Sequence, residues 1–298
     1  FCFVFASVPA GSVLGSEFRR QVQGPRNCAE VYQAGERYEG YYAIFPNTIK
    51  PDEVDLVYCG VVDGMAAFNS SAPKENAKNC KDLKDGGMSE DGINIIYPYV
   101  AHPDTPVIVY CDQTIMGGGW TVFQRRDDYS TQVDFYRNFD EYALGFGSPG
   151  AEFWLGNEII HELTQQGVNE LYVDLTSFAG LNKYAHYDIF NIGPRSGDYD
   201  GNFQLTIGHY SGTAGDSLKR HNGIAFTTYD VDNDNWSADN CASNNRHGAW
   251  WYDSCADSNL NGRYFDTAIE DGTAVLWYSF SESSLMSTKM MTRPLQQQ

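Results

Sequence analysis

Leu171, Val173 and Leu175 alternate with more polar positions, the period-two pattern of a half-buried strand. Lys183–Ile192 and Ala274–Phe280 read as further strands, and the Gly-Asp and Gly-Asn punctuation between such runs suits antiparallel pairing. A three-to-four period interrupts this pattern at Ile159, Ile160 and Leu163. It predicts a helix through Gln166, with Asn157 as its N-cap and Gly167 as its stop. The pattern as a whole predicts an α+β fold: a twisted antiparallel sheet with short helices and a loop-rich C-terminal lobe.

The first fifteen residues, FCFVFASVPAGSVLG, are mostly apolar, with no charge before Glu17. That is short of the roughly 20 residues a membrane span needs. It fits the apolar core of a secretory signal with a small-residue exit near Gly15–Ser16. Residues 1–16 are therefore read as a signal-peptide remnant, the alternative being a buried first strand. The cysteines agree with export. The seven are Cys2, Cys28, Cys59, Cys80, Cys111, Cys241 and Cys255, and without Cys2 six remain. An even set of this kind suits disulfides outside the cell, and no CxxC or Cys/His pattern points to zinc. A formal net charge of −19 argues against nucleic acid as a partner, since phosphate contact requires basic patches. No membrane insertion is expected. The abundance of Gly, Tyr and Phe (29, 20 and 17) favours turns and aromatic-lined loops over helical bundles.

The sequence also repeats itself. Cys28 to Cys59 and Cys80 to Cys111 have the same spacing (59 − 28 = 111 − 80 = 31). At an offset of 52 the pairs Asn27/Asn79, Gly40/Gly92, Ile44/Ile96, Pro51/Pro103, Val57/Val109 and Tyr58/Tyr110 all match. So regular a period signals duplication. The second copy runs on into Gly117–Arg126, whereas the first loses the pattern after Cys59. Residues 27–68 are read as a partial duplicate, residues 69–78 as a polar linker and residues 79–295 as the main domain. Asn69 opens an Asn-Ser-Ser sequon in that linker, a glycosylation site on an exposed segment. A second sequon at Asn235 lies in an acidic run and is read as unoccupied.

That run, Asp230–Tyr264, concentrates the candidate chemistry. Asp230, Asp232 and Asp234 stand at alternate positions, and Cys241 and Cys255 bracket Trp250, Trp251 and Tyr252. Alternating acids repel unless a cation lies among them, and hard oxygen donors suit calcium. An EF-hand is excluded: counting from Asp230, the sixth and twelfth positions are Asn235 and Cys241 rather than Gly and Glu. A plain solvated acidic turn is the alternative. No HExxH, GxSxG or Walker A pattern occurs, so nothing points to an enzyme.

The run, together with GGGWTVFQRR at Gly117–Arg126 and FYRNFDEYALGFGSPGAEFWLGNEIIHEL at Phe135–Leu163, resembles the fibrinogen-related domain of ficolins, tachylectins and the ends of the fibrinogen chains. The resemblance covers roughly Asn79 to Pro294 and implies a fibrinogen C-terminal-like domain with a calcium-binding lobe. It implies disulfides Cys28–Cys59, Cys80–Cys111 and Cys241–Cys255. It also implies a Ca²⁺ site in which Asp232 and Asp234 give carboxylates and Trp236 and Ala238 give carbonyls, with Asp230 an outer or structural acid. The loop holds one residue more before Cys241 than the ficolin pattern. In acetyl-binding members a cis peptide precedes the second loop cysteine, here Ser254–Cys255, and its amides hold the ligand oxygen. The family's aromatic funnel is largely replaced: Ala256 stands for a His, Arg246 for a Tyr, and a later Tyr falls near Ile269. Arg246 and His247 instead suit a carboxylate or sulfate, unless Arg246 only pairs with Asp239 or Asp253. The implied function is that of a secreted, calcium-dependent lectin of innate-immune type. Its partners would be acetylated or anionic glycans on cell or microbial surfaces, and it could act as a homo-oligomer. The competing expectation is an extracellular protein-interaction or receptor-binding module of the angiopoietin or tenascin type.

Overall fold

In a computed structural model of the protein, the described residues are 77–103, 105–195 and 202–295, preceded by the backbone of four short strands. Two units divide the chain, Phe1–Ser70 and Ser71–Gln298. In the first, β1 (Gly40–Ile44) and β2 (Asp55–Cys59) form an antiparallel hairpin running from Gly40↔Cys59 to Ile44↔Asp55. β3 (Val61–Val62) and β4 (Met65–Ala66) make a second, shorter one. Residues 1–16, Cys28 and its implied bond to Cys59, and Asn69 lie outside the described residues.

The second unit opens with α1 (Cys80–Asp85), whose cap Asn79 accepts the amides of Lys81 and Asp82 at 2.9 and 3.1 Å. β5 (Gly92–Ile96) and β6 (Val107–Asp112) follow, paired from Gly92↔Cys111 to Ile96↔Val107. Adding 52 to the end pairs of the first hairpin (40→92, 59→111, 44→96, 55→107) gives those of the second. The repeat read in the sequence is thus also a repeat of strand register. In the second copy a disulfide joins Cys80 to Cys111 (Cα–Cα 5.5 Å), fastening α1 to β6.

β7 (Trp120–Arg126), α2 (Phe139–Leu144), β8 (Phe146–Gly147), β9 (Phe153–Trp154) and α3 (Asn157–Thr164) come next. β10 (Asn169–Ser177), β11 (Asn182–Ile192) and β12 (Leu205–Gly212) form a meander. After a long loop region holding β13 (Ser258–Asn259) and β14 (Leu276–Trp277), β15 (Leu285–Pro294) returns between β10 and β7. The resulting antiparallel sheet runs β12-β11-β10-β15-β7-β6-β5, with β9 added on β7. This is the expected α+β fold. Leu171, Val173 and Leu175 all bury, and Phe123 stacks on Phe190 (5.5 Å) and meets Trp154 edge-on (5.8 Å). Aromatics of this size dominate core energetics, at about 1.5–3 kcal/mol per buried side chain.

Two local expectations are corrected. The α3 cap is Gly156, at φ 112, where a Cβ would meet the Leu144 carbonyl carbon at 2.8 Å. Asn157 lies inside the helix because its Oδ1 already accepts from the Trp154 indole (3.1 Å), and the helix ends at Thr164. The strand expected over Ala274–Phe280 shortens to β14: the Tyr278 amide adds one more rung to the Asp257 carbonyl (3.0 Å), and the amides of Phe280 and Ser281 then turn back onto the Trp277 carbonyl (2.9 and 3.0 Å).

Candidate functional site

The loops between β12 and β15 form a lobe built on buried aromatics. Trp250, Trp251 and Tyr252 are fully buried; Trp251 packs on Phe226 (5.1 Å) and donates to the Phe203 carbonyl (2.7 Å). A second disulfide, Cys241–Cys255, closes the loop around them (Cα–Cα 5.6 Å), and the Ser254–Cys255 peptide is cis. Strand β7 reaches into this lobe with polar side chains. Gln124 donates to the Leu260 carbonyl (2.8 Å), and Arg126 donates to the Gly262 carbonyl (2.6 Å) while paired with buried Glu152 (2.9 Å).

Behind the cis peptide sits His221, fully buried. Its Nδ1 donates to the Trp251 carbonyl (2.7 Å), and Nε2 accepts the amides of Asp257 (3.2 Å) and Ser258 (3.3 Å). That arrangement requires the neutral ring, and burial pushes its pKa down to about 4. In front, Arg220 clamps the turn. It donates to the Ser254 carbonyl (2.9 Å) and hydroxyl (3.2 Å) and to the Asp253 carboxylate (2.8 Å). The bond from Asn235 comes first among the causes that hold the Asp253 carboxyl low, and that from Arg220 second.

The acidic loop is tied to this turn, since Asn235 bonds Asp253 through both its amide nitrogen (3.1 Å to the carbonyl) and its side chain (2.9 Å). Asp234 accepts the amides of Trp236 (2.7 Å) and Cys241 (2.8 Å), yet its pKa rises to about 6. Burial is the main cause, and the neighbouring Asp232 carboxylate adds to it. Two abutting carboxylates, one of them costly to ionise, suit a hard divalent cation. Among the described residues no group of three or more His, Cys, Asp or Glu side chains gathers to hold a metal. Carbonyl oxygens such as those of Trp236 and Ala238 would have to complete any shell at Asp232 and Asp234. Asp230 stands apart from that pair, accepting from the Thr228 hydroxyl (2.7 Å) and from the Phe139 amide at the start of α2 (3.0 Å).

Arg246 donates to the Gly272 carbonyl (3.0 Å) and the Tyr278 hydroxyl (3.1 Å). Its Nε and the neighbouring Asn259 Oδ1 are buried without partners among the described residues. The amides of Cys255 and Ala256 likewise donate to no described group. Tyr278 links these groups, its amide held by Asp257 and its hydroxyl by Arg246. Ile269, in contrast, donates its amide to the Ser284 hydroxyl (3.0 Å) and accepts the Ser284 amide on its carbonyl (2.8 Å), and Tyr278 is the ring beside Arg246. Asp253 is engaged by Arg220 and Asn235. His247 is separated from Arg246: at φ 48 it turns to stack on Tyr136 (4.3 Å, 6°) and lines a different cleft. Arg220 and Tyr278 escape a reading of the sequence, because their roles arise from contacts 20 to 40 residues distant; the aromatic after the Leu276–Trp277 strand is the sole local signal for Tyr278.

Comparison with known proteins agrees with this architecture. Residues 76–295 match the family model of the C-terminal globular domain of the fibrinogen beta and gamma chains. The protein is 42% identical over 233 residues to fibrinogen C domain-containing protein 1 of Xenopus tropicalis, a match spanning 76% of its own length and 48% of that protein. It is 48% identical over 193 residues to human ficolin-3, spanning 64% and 60%. It thus spans about half the length of the first relative. Among solved structures, the fibrinogen-like globe domain of human ANGPTL6 is 37% identical with a TM-score of 0.69, a likeness spanning 77% of this protein and 100% of that domain. With its family model matched over most of its length and the sheet and disulfide-closed lobe described above, the chain belongs to the family of the fibrinogen C-terminal globular domain.

Proposed function

We propose that this domain is an extracellular glycan-binding module that takes an anionic sugar at the Ser254–Cys255 turn, with calcium holding the adjacent acidic loop. The observation that carries the reading is the set of uncommitted donors around Tyr278. The Cys255 and Ala256 amides donate to no described group, and Arg246 spends only Nη1 on the protein, leaving Nη2 beside a buried Nε. A carboxylate or sulfate accepts from such donors through charge-assisted bonds. With Ala256 buried and Arg246 standing where the family has a ring, an acetyl methyl finds little aromatic wall. Asp232, Asp234 and the Trp236 and Ala238 carbonyls would hold the calcium, which supplies positive charge to offset the two acids. Through Asn235 and Asp253 that loop supports the turn.

The test is a calorimetric titration of N-acetylglucosamine and of its 6-sulfated form, for the parent and Arg246→Tyr, with calcium. The sulfated sugar should bind the parent more tightly, weaken with added salt, and lose about tenfold in the variant, the scale of one charge-assisted bond. Tight, salt-insensitive binding of plain N-acetylglucosamine by the parent defeats the proposal. A second reading, a protein-recognition module, is favoured by the likeness to the lamprey fibrin D-dimer, 29% identical with a TM-score of 0.67, which is complexed with the peptide Gly-His-Arg-Pro-amide. A glycan array that stays blank both with calcium and with chelator would support it.

A further inference from the structure

Strand β11 carries His186 and Asp188 two positions apart, so both side chains leave the same face of the sheet. Its register with β12 runs from His186↔Ser211 through Tyr187↔Tyr210 to Ile189↔Gly208, which sets His209 opposite Asp188. We propose that His186, Asp188 and His209 form a binding site for one zinc ion, held by the two imidazole Nδ1 atoms and the Asp188 carboxylate, with the fourth position open. The site lies on the sheet rather than in the disulfide-closed lobe, and it does not rest on the glycan reading.

The chemistry starts at His186, a buried ring whose orientation is fixed. Its Nε2 lies 2.6 Å from Glu170 Oε2, and Glu170 Oε1 accepts from Arg293 Nε at 2.6 Å. Arg293 in turn lies over the Trp120 ring (4.0 Å), and that ring meets His186 edge-on (6.3 Å, 90°). Burial opposes a charge on Glu170, but the bonds from His186 and Arg293 outweigh it and hold its carboxyl low. An ionised carboxylate only accepts, so Nε2 carries a proton, and in the neutral ring Nδ1 then bears a lone pair. A carboxylate behind the far nitrogen is the relation that orients a metal-binding imidazole and raises its basicity. Glu170 is thus the positioning residue of the site.

What that lone pair faces is a second base. Asp188 Oδ1 lies 3.6 Å from His186 Nδ1, too far for a hydrogen bond and close enough for repulsion. On its other side, Asp188 Oδ2 lies 3.9 Å from His209 Nδ1. Among the described residues no Lys or Arg pairs with this carboxylate and no amide donates to it. The Ser211 hydroxyl, 3.3 Å from His186 Nδ1, supplies one proton there and none to Asp188. Asp188 therefore bridges two imidazoles without a cationic side chain to balance it.

Distances fit an ion better than they fit hydrogen bonds. Zinc bonds of about 2.0–2.2 Å to His nitrogen and carboxylate oxygen set tetrahedral ligands about 3.3 Å apart. The two N···O separations exceed that by only a few tenths of an ångström. Among the described residues no three such side chains stand close enough to hold an ion as they lie, so this set has to close. His209 provides the closure. Its side chain is 72% exposed and that of Asp188 46%, against 9% for His186, so two ligands free to rotate in solvent meet one that is anchored.

The donor set selects the ion. Two imidazoles and one carboxylate suit a borderline ion, whereas calcium takes six or more oxygens. Three protein ligands with a fourth position open is a common zinc arrangement. The sequence does not announce it, because only strand pairing brings His209 to Asp188.

The test is a titration of the full-length, untagged protein, stripped with chelator and returned to calcium buffer, with zinc chloride against a chromophoric zinc indicator. One zinc per chain should bind at micromolar concentration, and excess calcium should not displace it. Long-range proton–nitrogen spectra should show His186 and His209 Nδ1 moving to metal-bound values while His186 Nε2 keeps its proton. His209→Ala and Asp188→Asn change exposed side chains and should leave the circular dichroism of the fold unchanged. Each should weaken zinc binding by more than the roughly 10–100-fold that changes behind a metal ligand cost. Asp232→Asn with Asp234→Asn should bind zinc like the parent, so failure of this site and failure of the acidic loop are read separately. The proposal is overturned if zinc moves neither histidine signal, if His209→Ala binds zinc as tightly as the parent, or if calcium displaces the zinc.

Discussion

Strands β10 and β15 pair without interruption from Asn169↔Pro294 to Thr176↔Ser287, so the middle of the sheet is held by its own backbone. The lobe between β12 and β15 has only the two-residue β13–β14 ladder and isolated bridges. Beside scattered backbone bonds such as those between Thr227 and Trp250, side chains take many of its backbone groups: Asn240, Asn259 and Asn261 donate to the carbonyls of Thr228, Arg246 and Ala249, and Asp234 and His221 accept amides. Both regions bury large aromatics. The difference is that the sheet's ladder bonds depend on register alone, whereas some of the lobe's depend on the protonation of Asp234 and His221. Acid or the loss of one charge should therefore undo the lobe before it touches the ladders.

The largest effect is expected at the seam between the two. Arg126 on β7 is paired with buried Glu152 and reaches the Gly262 carbonyl, while Glu152 also accepts the Val133 amide (2.7 Å). Glu152→Gln strands the guanidinium in the interior and should cost about 3–5 kcal/mol in urea unfolding. The exposed Arg137–Glu141 pair (2.7 Å) is the control, where Glu141→Gln should cost well under about 1 kcal/mol. A Glu152→Gln loss no larger than that of the control would show that the seam does not join sheet and lobe.

His221 sharpens the comparison through pH. The unfolded protein takes up its proton near the ordinary value of 6.5, whereas the folded lobe resists until about 4. Stability from this residue is therefore complete above 6.5 and drains away as pH falls toward 4, by about 3 kcal/mol in total. His221→Gln should remove that loss between pH 6.5 and 4 and leave the opposite contribution of Asp234, whose raised pKa favours the folded state as pH falls through about 6. The carboxylates held low, Glu170, Asp112 and Asp271 among them, would still cause loss at lower pH. Parent and variant melting curves with the same pH slope in that window would exclude His221 as the cause.

How far the sequence carried this picture follows the same division. Only part of the sheet was legible: β10 states a period at Leu171, Val173 and Leu175 and β11 reads as a strand, the 52-residue offset marked the repeat, and β7, buried at nearly every position, shows no alternation to read. The aromatic and cysteine spacing marked where the lobe lies. Its internal bonds were not legible: nothing in the sequence around Arg220 announces Ser254, and nothing around His221 announces Trp251. The neighbours Arg246 and His247 read as one site, but a positive φ at a single residue turned them apart. Asn157 reads as a cap until Trp154 claims its oxygen. Side-chain-to-backbone bonds across tens of residues leave no periodic trace.

The smallest expected effect concerns calcium, and it tests whether the lobe can be stiffened without the sheet. Asp234 is the acid whose ionisation burial opposes, and Asp232 adds to that cost. A cation at these two carboxylates would offset the repulsion and fix the loop that Asn235 ties to Asp253. Calcium at ten times its dissociation constant should stabilise the fold by about 1.4 kcal/mol, a rise of a few degrees in melting temperature for a domain of this size. Extracellular calcium sites commonly need about 10⁻⁴–10⁻³ M, so millimolar calcium should suffice. Hydrogen exchange should slow at the amides of residues 232–257 and stay unchanged in β10 and β15, since the ion meets no atom of the sheet. Asp232→Asn with Asp234→Asn keeps side-chain oxygens for the Trp236 and Cys241 amides but removes both charges, and the calcium effect should vanish. A variant that gains as many degrees as the parent would place the calcium elsewhere, and slowed exchange in β10 would mean that sheet and lobe respond as one body.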